Sequence, residues 1–372
     1  MKICVISHDF SPNIGGIAAH VAHLSASLAA LGHEVSVATI RYGNASSFSS
    51  VEGGVRIFRF KVPKIGKLRG VVFIVKTFFF FLFSHFDVVH WHNMLPDTFV
   101  ALPIHANRKV FTNHSSDFLE RFDRQNKSSF WSFLFKGVDV IIGPSEELSS
   151  KAAIFFNKPK NTTHFIPNGV DVSFFRLAQE KERLEARHQL EFKKDAIIVL
   201  CPRRLEYKNG VDIFVEAAAL IEKKDFIGIV AGNDADVAYA KQVKDRASAL
   251  GLGDVMRFVG AVANEKMRLY YWASDVVVLP SRMEATSIAG LEAMACGLPL
   301  VGARVGGIPS IIFDKQSGLL VDVDDSVGFA DALSRLCQNT VLRTHMGVIA
   351  RQKAQNLFSW ESITKKTLVL YE

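Results

Sequence analysis

Cysteine is scarce. Four occur in 372 residues, Cys4, Cys201, Cys296 and Cys337, far apart and never as C-x-x-C. That spacing argues against a disulfide framework and against a cysteine-based structural zinc site, so the thiols are read as reduced. No secretory leader is expected from the first residues: 1–7 carry one Lys and a few apolar side chains before His8 and Asp9, without an extended apolar core or a small-residue cleavage site. A cytosolic location is therefore expected. No apolar run reaches the ~20 residues that a membrane-crossing helix needs. The longest, from Val71 to Phe83, is interrupted by Lys76 and Thr77. Short-period repeats are absent, and the phenylalanine cluster is the one biased tract. What is abundant is material for burial, 49% hydrophobic and 11% aromatic residues against 22% charged. This is a globular composition, and the length exceeds what one core usually holds, so two domains are expected.

Charge is unevenly placed. Up to Val170 there are 18 Lys and Arg against 11 Asp and Glu; beyond it the count is 26 against 26, so the whole formal excess of +7 lies in the first half. Nucleic acid is one partner such an excess suits. Here, however, Lys61, Lys64, Lys67 and Arg69 directly precede the Phe-rich run, the order of a segment resting on anionic lipid. The segment from Lys61 to Phe83 is accordingly read as a contact for an anionic membrane surface rather than for nucleic acid, the bland alternatives being a solvated basic face and, for Phe78 to Phe81, buried helix packing.

Short apolar runs alternate with helical periodicity throughout. Residues 2–7 read as a buried strand, 17–31 as a helix and 34–40 as the next strand, a β-α-β unit. Further strands are expected at 55–60, 88–92, 109–112, 138–142 and 163–166, with helices at 68–83, 97–106, 117–135 and 146–156. Between 168 and 194 the rhythm lapses into the turn Pro167-Asn168-Gly169 and a charged stretch at 180–187, as in a domain connection. A second cycle follows, with strands at 196–201, 226–231, 255–259, 276–279 and 299–303. Its helices are expected at 211–221, 238–250, 264–272, 287–295, 308–313, 326–338 and 341–357. The fold class is α/β with two doubly wound, mostly parallel sheets, residues 1–170 and 171–357, and a last helix at 358–372 packing back on the first. Two such sheets face a common cleft with the carboxyl ends of their strands, where ligands of these folds bind.

Three segments carry chemistry. After the first strand, Ser11-Pro12-Asn13-Ile14-Gly15-Gly16 leads into a helix, so backbone N–H groups and the positive helix end are available to a phosphate or sugar; a plain tight turn explains the same residues. The first strand of the second half opens into Pro202-Arg203-Arg204-Leu205-Glu206-Tyr207-Lys208-Asn209-Gly210, where Arg forks and a Lys point charge suit a diphosphate. A strand at 276–279 then gives way to a polar loop with Glu284, and the following helix carries Glu292. Two carboxylates at one helix start are acceptors for vicinal hydroxyls, while the helix N-terminus suits a negative diphosphate.

Together these motifs resemble the retaining GT-B glycosyltransferases of family 4, whose two glutamates separated by seven residues are matched by Glu284 and Glu292. The resemblance extends in order along the chain through Gly32-His33-Glu34-Val35, Asp87-Val88-Val89-His90, Pro144-Ser145-Glu146, Ile166-Pro167-Asn168-Gly169-Val170-Asp171 and Gly306-Gly307-Ile308-Pro309. It implies a GT-B fold with an interdomain cleft and a nucleotide-sugar donor such as a UDP- or GDP-sugar. Glu284 would meet the donor sugar, aided by the N–H groups of Thr286, Ser287 and Ile288, and Glu292 would hold the ribose. Arg204 and Lys208 would neutralise the diphosphate, Gly16 would approach it from the other domain, and His114 would stand beside the sugar. Three departures are visible. Arg204 and Lys208 are four apart where five is common, with Arg203 at the usual glycine, so the choice between Arg203 and Arg204 stays open. Ser310 also replaces a frequent glutamate, and Ala285-Thr286 replace the usual Gly or Phe types, which leaves the donor sugar open.

The resemblance implies transfer with retention to an acceptor hydroxyl, in cell-surface polysaccharide or glycolipid synthesis, and the basic, Phe-rich first half points to a glycan or lipid-linked acceptor and a cytoplasmic enzyme peripheral on the inner face of the membrane. No cofactor or metal is expected, since Arg204, Lys208 and the helix dipole can take the leaving charge. The Asp-x-Asp pairs Asp234/Asp236 and Asp322/Asp324 lie in polar turns without further ligands. The rival readings are a nucleotide-sugar epimerase or hydrolase of the same architecture and a non-catalytic sugar-nucleotide sensor.

Overall fold

The computed structural model describes the chain except residues 13–15, 43–47, 115–128 and 223–225 and the side chain of Lys67. Asn13-Ile14-Gly15 of the glycine turn, most of the helix expected at 117–135 and the Lys67 side chain thus lie outside the described residues. The chain divides into two compact units, Met1–Gly169 with Trp360–Glu372, and Val170–Ser359.

Unit 1 is built on an eight-stranded sheet. In chain order its strands are β1 (Lys2–Ile6), β2 (Glu34–Ile40), β3 (Ser49–Glu52), β4 (Val55–Phe60), β5 (His85–Trp91), β6 (His105–Thr112), β7 (Val140–Gly143) and β8 (Thr163–Phe165). Their spatial order is β3-β4-β2-β1-β5-β6-β7-β8, parallel except for β3 against β4. Alternation in β1 sends Ile3 and Val5 to one core and Cys4 and Ile6 to the other, the period-two rule for a strand buried on both faces. The first core holds Val21, Leu24 and Leu28 of α1 (Gly16–Ala30) and Ile363 of α14 (Trp360–Val369). The second takes Phe73 and Phe81 of α2 (Gly66–Phe81), Val100 of α3 (Asp97–Ala101) and Leu148 of α5 (Glu146–Phe155). A further short helix, α4, covers Ser129–Leu134.

Unit 2 carries β9 (Ile197–Cys201), β10 (Phe226–Ala231), β11 (Met256–Gly260), β12 (Val276–Leu279), β13 (Leu300–Ala303) and β14 (Gly318–Val321). They form one sheet in the order β11-β10-β9-β12-β13-β14, all pairs parallel. One face is packed by α7 (Val211–Leu220), α8 (Val237–Ala249) and α12 (Ser326–Gln338), the other by α6 (Glu180–Gln189), α9 (Asn264–Ala273), α10 (Ile288–Ala295) and α13 (Thr340–Leu357). A four-residue helix, α11 (Ile308–Ile311), follows β13.

Some elements differ from the sequence expectation. The charged stretch at 180–187 is not a bare connection but the body of α6, started by a capping box between Gln179 and Glu182 and docked by buried Arg187. That guanidinium donates to the Ala273, Lys194 and Ala196 carbonyls and to Asp275, so the helix is held without an apolar pattern. The helix expected at 97–106 stops at Ala101 because the strand beside it starts early, at His105. β3 and β14 add to the expected strands; β3 is an exposed edge whose burial gives no apolar alternation.

In each sheet the strand order reverses once, between β1 and β5 and between β9 and β12. The carboxyl ends at such switch points are where loops splay apart and ligands bind. The residues singled out in the sequence follow β1, β6, β9 and β12.

Candidate active site

In unit 2 the loops after β9 and β12 are bound to one another. Arg282 and Met283 donate their N–H groups to the Lys208 carbonyl at 2.8 and 3.2 Å. The Arg282 guanidinium forks onto both Asp212 oxygens at 2.8 and 2.7 Å, reaches Asp324 at 2.7 Å and lies over the Tyr207 ring at 4.2 Å. Glycine makes the approach possible: a Cβ at Gly210, where φ is +65°, would run into the Pro280 carbonyl, and one at Gly306, φ +53°, into the Glu284 carbonyl. Both demand a left-handed backbone and an absent side chain. A third loop, after β13, joins through the Gly307 N–H to the Glu284 carbonyl at 3.1 Å.

This frame sets Glu284 against Arg203. One Arg203 amino group lies 2.5 Å from Glu284 Oε2 and donates to Ser287 Oγ at 2.8 Å, both charged side chains being close to buried. Ser287 is also the N-cap of α10, accepting from the Gly290 N–H at 3.1 Å. The first N–H groups of α10 have no acceptor within the helix, so a carboxylate, a hydroxyl and a positive helix end converge. Thr286 and Ser287 are buried and Ile288 half-buried. Arg204 is more exposed and lies 3.5 Å from Glu206, which Lys208 approaches at 3.4 Å.

Glu292 sits deeper. Only 8% exposed, it accepts from the Tyr271 hydroxyl at 2.7 Å. Burial pushes its carboxyl up to about 7, against the opposing pull of the Tyr271 hydrogen bond. At neutral pH the group is therefore poised between acid and carboxylate.

The Asp-x-Asp pairs have structural work. Asp236 caps α8, Asp234 pairs with Lys244 at 2.7 Å, Asp322 approaches Arg304 at 3.5 Å and Asp324 holds Arg282.

In unit 1, Gly16 is the first residue of α1 and His114 lies just beyond β6. His114 is one of four clustered histidines. Its Nε2 lies 3.1 Å from His92 Nδ1, and its ring centroid 4.5 Å from that of His20. His90 bridges the Tyr371 hydroxyl at 2.6 Å and Thr112 at 2.7 Å. Burial first, then the neighbouring imidazoles, hold His92 and His114 well below the ordinary histidine value. His20 falls to about 4 and His90 to about 3 for the same leading reason. All four are neutral at pH 7.

Within unit 2 the structure thus brings Glu284, Thr286 and Ser287 together with Arg203, sets Arg204 and Lys208 around Glu206, and seats Glu292 separately on Tyr271. Three partners escape a sequence reading: Tyr271, Arg282 and the His20/His92 pair. Arg282 stands two residues before Glu284, where its charge was the available signal. Tyr271 and His92 give none, because their contacts join residues 21 or 22 apart.

Comparison with known proteins gives a consistent result. The profile described as "Glycosyl transferases group 1" matches residues 182–353, and that described as "Glycosyltransferase Family 4" matches residues 14–174. An uncharacterized glycosyltransferase of Methanocaldococcus jannaschii is 25% identical over all of this chain and 98% of its own. A chain of the phosphatidylinositol N-acetylglucosaminyltransferase of Arabidopsis thaliana is 26% identical, covering 100% and 82% respectively. Among solved structures, sucrose-phosphate synthase from Thermosynechococcus elongatus superposes with a TM-score of 0.80 at 24% identity, over 100% of this chain and 98% of that one. Anabaena HepE in complex with UDP and glucose gives 0.77 at 19%, covering 99% and 98%.

Proposed function

Since the chain belongs to the group 1 glycosyltransferases of family 4 and has their GT-B fold of two Rossmann-like domains, we propose that it moves a hexosyl or N-acetylhexosaminyl group from a nucleotide diphosphate sugar, with retention, to a glycan or lipid-linked hydroxyl. The observation carrying this reading is the convergence of Glu284, Arg203 and the capped start of α10. A diphosphate sugar asks for that set: an acceptor for sugar hydroxyls, a buried cation and helix N–H groups for phosphate. The complex of HepE with UDP and glucose supports the donor class, and the Arabidopsis relative's name supports a lipid-linked acceptor; cell-surface polysaccharide or glycolipid synthesis is the context this reading assigns.

In this reading Glu284 orients the sugar and Glu292 the ribose. Arg204 and Lys208, which reach Glu206 in the structure, swing to the diphosphate, and Gly16 leaves its backbone open to it. His114 donates to a sugar hydroxyl as a neutral imidazole. The bond from the anomeric carbon to the phosphate oxygen breaks and its electron pair leaves with the nucleoside diphosphate. The acceptor oxygen bonds to the same face and gives its proton to the departing phosphate. The growing charge falls to the arginines, Lys208 and α10, so transfer proceeds without a divalent metal or other cofactor.

The exposed face of α2 supports a membrane-proximal acceptor. No helix among the described residues is long and apolar enough to cross a membrane, but Phe79 and Phe83 are 67% and 97% exposed. No acidic residue occurs between Glu52 and Asp87, a stretch holding Lys61, Lys64, Lys67, Arg69 and Lys76. An apolar edge flanked by cations alone suits anionic lipid, and we read the enzyme as peripheral on the cytoplasmic leaflet.

The test is product analysis with UDP-, GDP- and ADP-sugars and a panel of acceptors. Anomeric configuration kept in an acceptor-dependent product supports the reading. Donor consumed at full rate without acceptor, or inverted product, overturns it. Glu284→Ala should lower kcat on the order of 10²-fold.

A further inference from the structure

One side-chain cluster in unit 1 has chemistry that sugar transfer draws on only at His114. His20 of α1, His92 at the end of β5 and His114 beyond β6 each offer one ring nitrogen, all within 4.8 Å of one another. Two of them, in His92 and His114, already stand 3.1 Å apart, close to the ~3.3 Å between ligands held 2.0–2.1 Å from a tetrahedral ion. His20 is oriented from behind: its Nδ1 lies 2.9 Å from the Asn168 side-chain oxygen. That oxygen accepts, so His20 carries its proton on Nδ1 and a lone pair on Nε2, the outer contact that aligns a metal-ligating imidazole. His92 is 1% exposed and presents Nδ1 toward His114, its Nε2 having no hydrogen-bond partner among the described residues. His114 is half-buried where His20 and His92 are buried, so solvent reaches the cluster at its ring. All three rings are neutral at pH 7, as ligation requires.

We propose that His20, His92 and His114 form a binding site for one late first-row divalent cation of the zinc class, and that its occupancy inhibits the enzyme. Three imidazoles with no carboxylate among them select zinc, cobalt, nickel or copper over magnesium and calcium, which want oxygen. Small rotations of the rings close the triad, and the fourth position falls on the open side, to water or an anion. The inhibitory half rests on the proposed function: an ion that takes a His114 nitrogen removes the group given to the donor sugar. Metal-independent transfer and a metal-inhibited enzyme are then two sides of the same residues.

The full chain, stripped with chelator, is titrated with cobalt(II) chloride and followed by visible absorption, then back-titrated with zinc. One equivalent with intense tetrahedral cobalt bands, displaced by zinc and indifferent to magnesium, is expected. His20→Ala and His92→Gln should each weaken binding at least tenfold, and His105→Ala, on the surface, should not. Should the buried variants fail to fold, the half-buried His114→Gln reads the same loss. Absence of saturable binding, or binding unchanged in all three triad variants, overturns the site. Zinc should inhibit transfer reversibly at the occupancy measured by cobalt competition. Full activity with the site filled would overturn the inhibitory role and place His114 away from the sugar, leaving the donor assignment of unit 2 to its own test.

Discussion

Arg203 is the residue on which the unit 2 site turns. It replaces the glycine of the common pattern, and its guanidinium holds Glu284 and the cap of α10 together. Truncating one partner of a nearly buried pair leaves the other charge uncompensated, which costs about 3–5 kcal/mol where burial is complete and less here. Arg203→Ala should therefore lower kcat at least tenfold with a smaller change in donor KM, and Arg203→Lys should restore only part, since an ammonium on a flexible stem lacks the fixed plane that sets the guanidinium nitrogen between carboxylate and hydroxyl. Steady-state kinetics with saturating acceptor decides; equal activity in Arg203→Ala would remove its positioning role. Glu292 yields a second prediction. Its carboxyl titrates near 7 when folded, and a ribose diol prefers the carboxylate as acceptor. Donor KM should fall between about pH 6 and 8, and Glu292→Gln should abolish that dependence. The sequence exposed both glutamates and the basic loop because spacing within one segment is visible there. It left the arginine undecided because pairing across 81 residues depends on how three loops meet.

Among the elements, α2 is the one whose surface and core demands conflict. Phe73 and Phe81 fill the unit 1 core while Phe79 and, two residues beyond the helix, Phe83 face outward, so one run of aromatics serves two environments. Sequence alone could not apportion them, since a phenylalanine reads alike in a core and on a lipid-facing edge. The two roles separate by mutation. Phe73→Ala should destabilise unit 1 by about 3–5 kcal/mol, read as a shift in the denaturation midpoint. Phe79→Ser with Phe83→Ser should leave that midpoint within about 0.5 kcal/mol and abolish flotation with anionic liposomes. Wild-type flotation should weaken as salt rises, and flotation unchanged in the double variant would remove α2 as the contact. The α6 helix shows the opposite limit of legibility. Its 180–187 stretch has no apolar periodicity, and its place is fixed by Arg187 reaching main-chain carbonyls, a demand that composition does not reveal.

For the molecule as a whole, the two units place their buried titratable groups with opposite signs. In unit 1, His20, His90, His92 and His114 are all held below the ordinary value by burial. Their unfolded forms take up protons first, so their contribution is complete above about pH 6.5 and is lost as pH falls toward 4. His8 opposes them weakly. Burial lowers it, but the Asp97 hydrogen bond and the charges of Asp97 and Asp9 outweigh that, and its net value is raised. In unit 2, Glu292 is raised to about 7. The folded form binds that proton more tightly than the unfolded chain, so unit 2 gains stability as pH falls from about 7 toward 4.5. Calorimetry at pH 7 and pH 5 should therefore show one transition moving down in temperature on acidification and the other holding or rising. The rising one should lose its pH response in Glu292→Gln, and His90→Gln should blunt the fall of the other. Two transitions that drop in parallel would mean that these groups are solvated rather than packed as described, and would weaken the assignment of Glu292 to a dry ribose contact along with the neutral histidine triad.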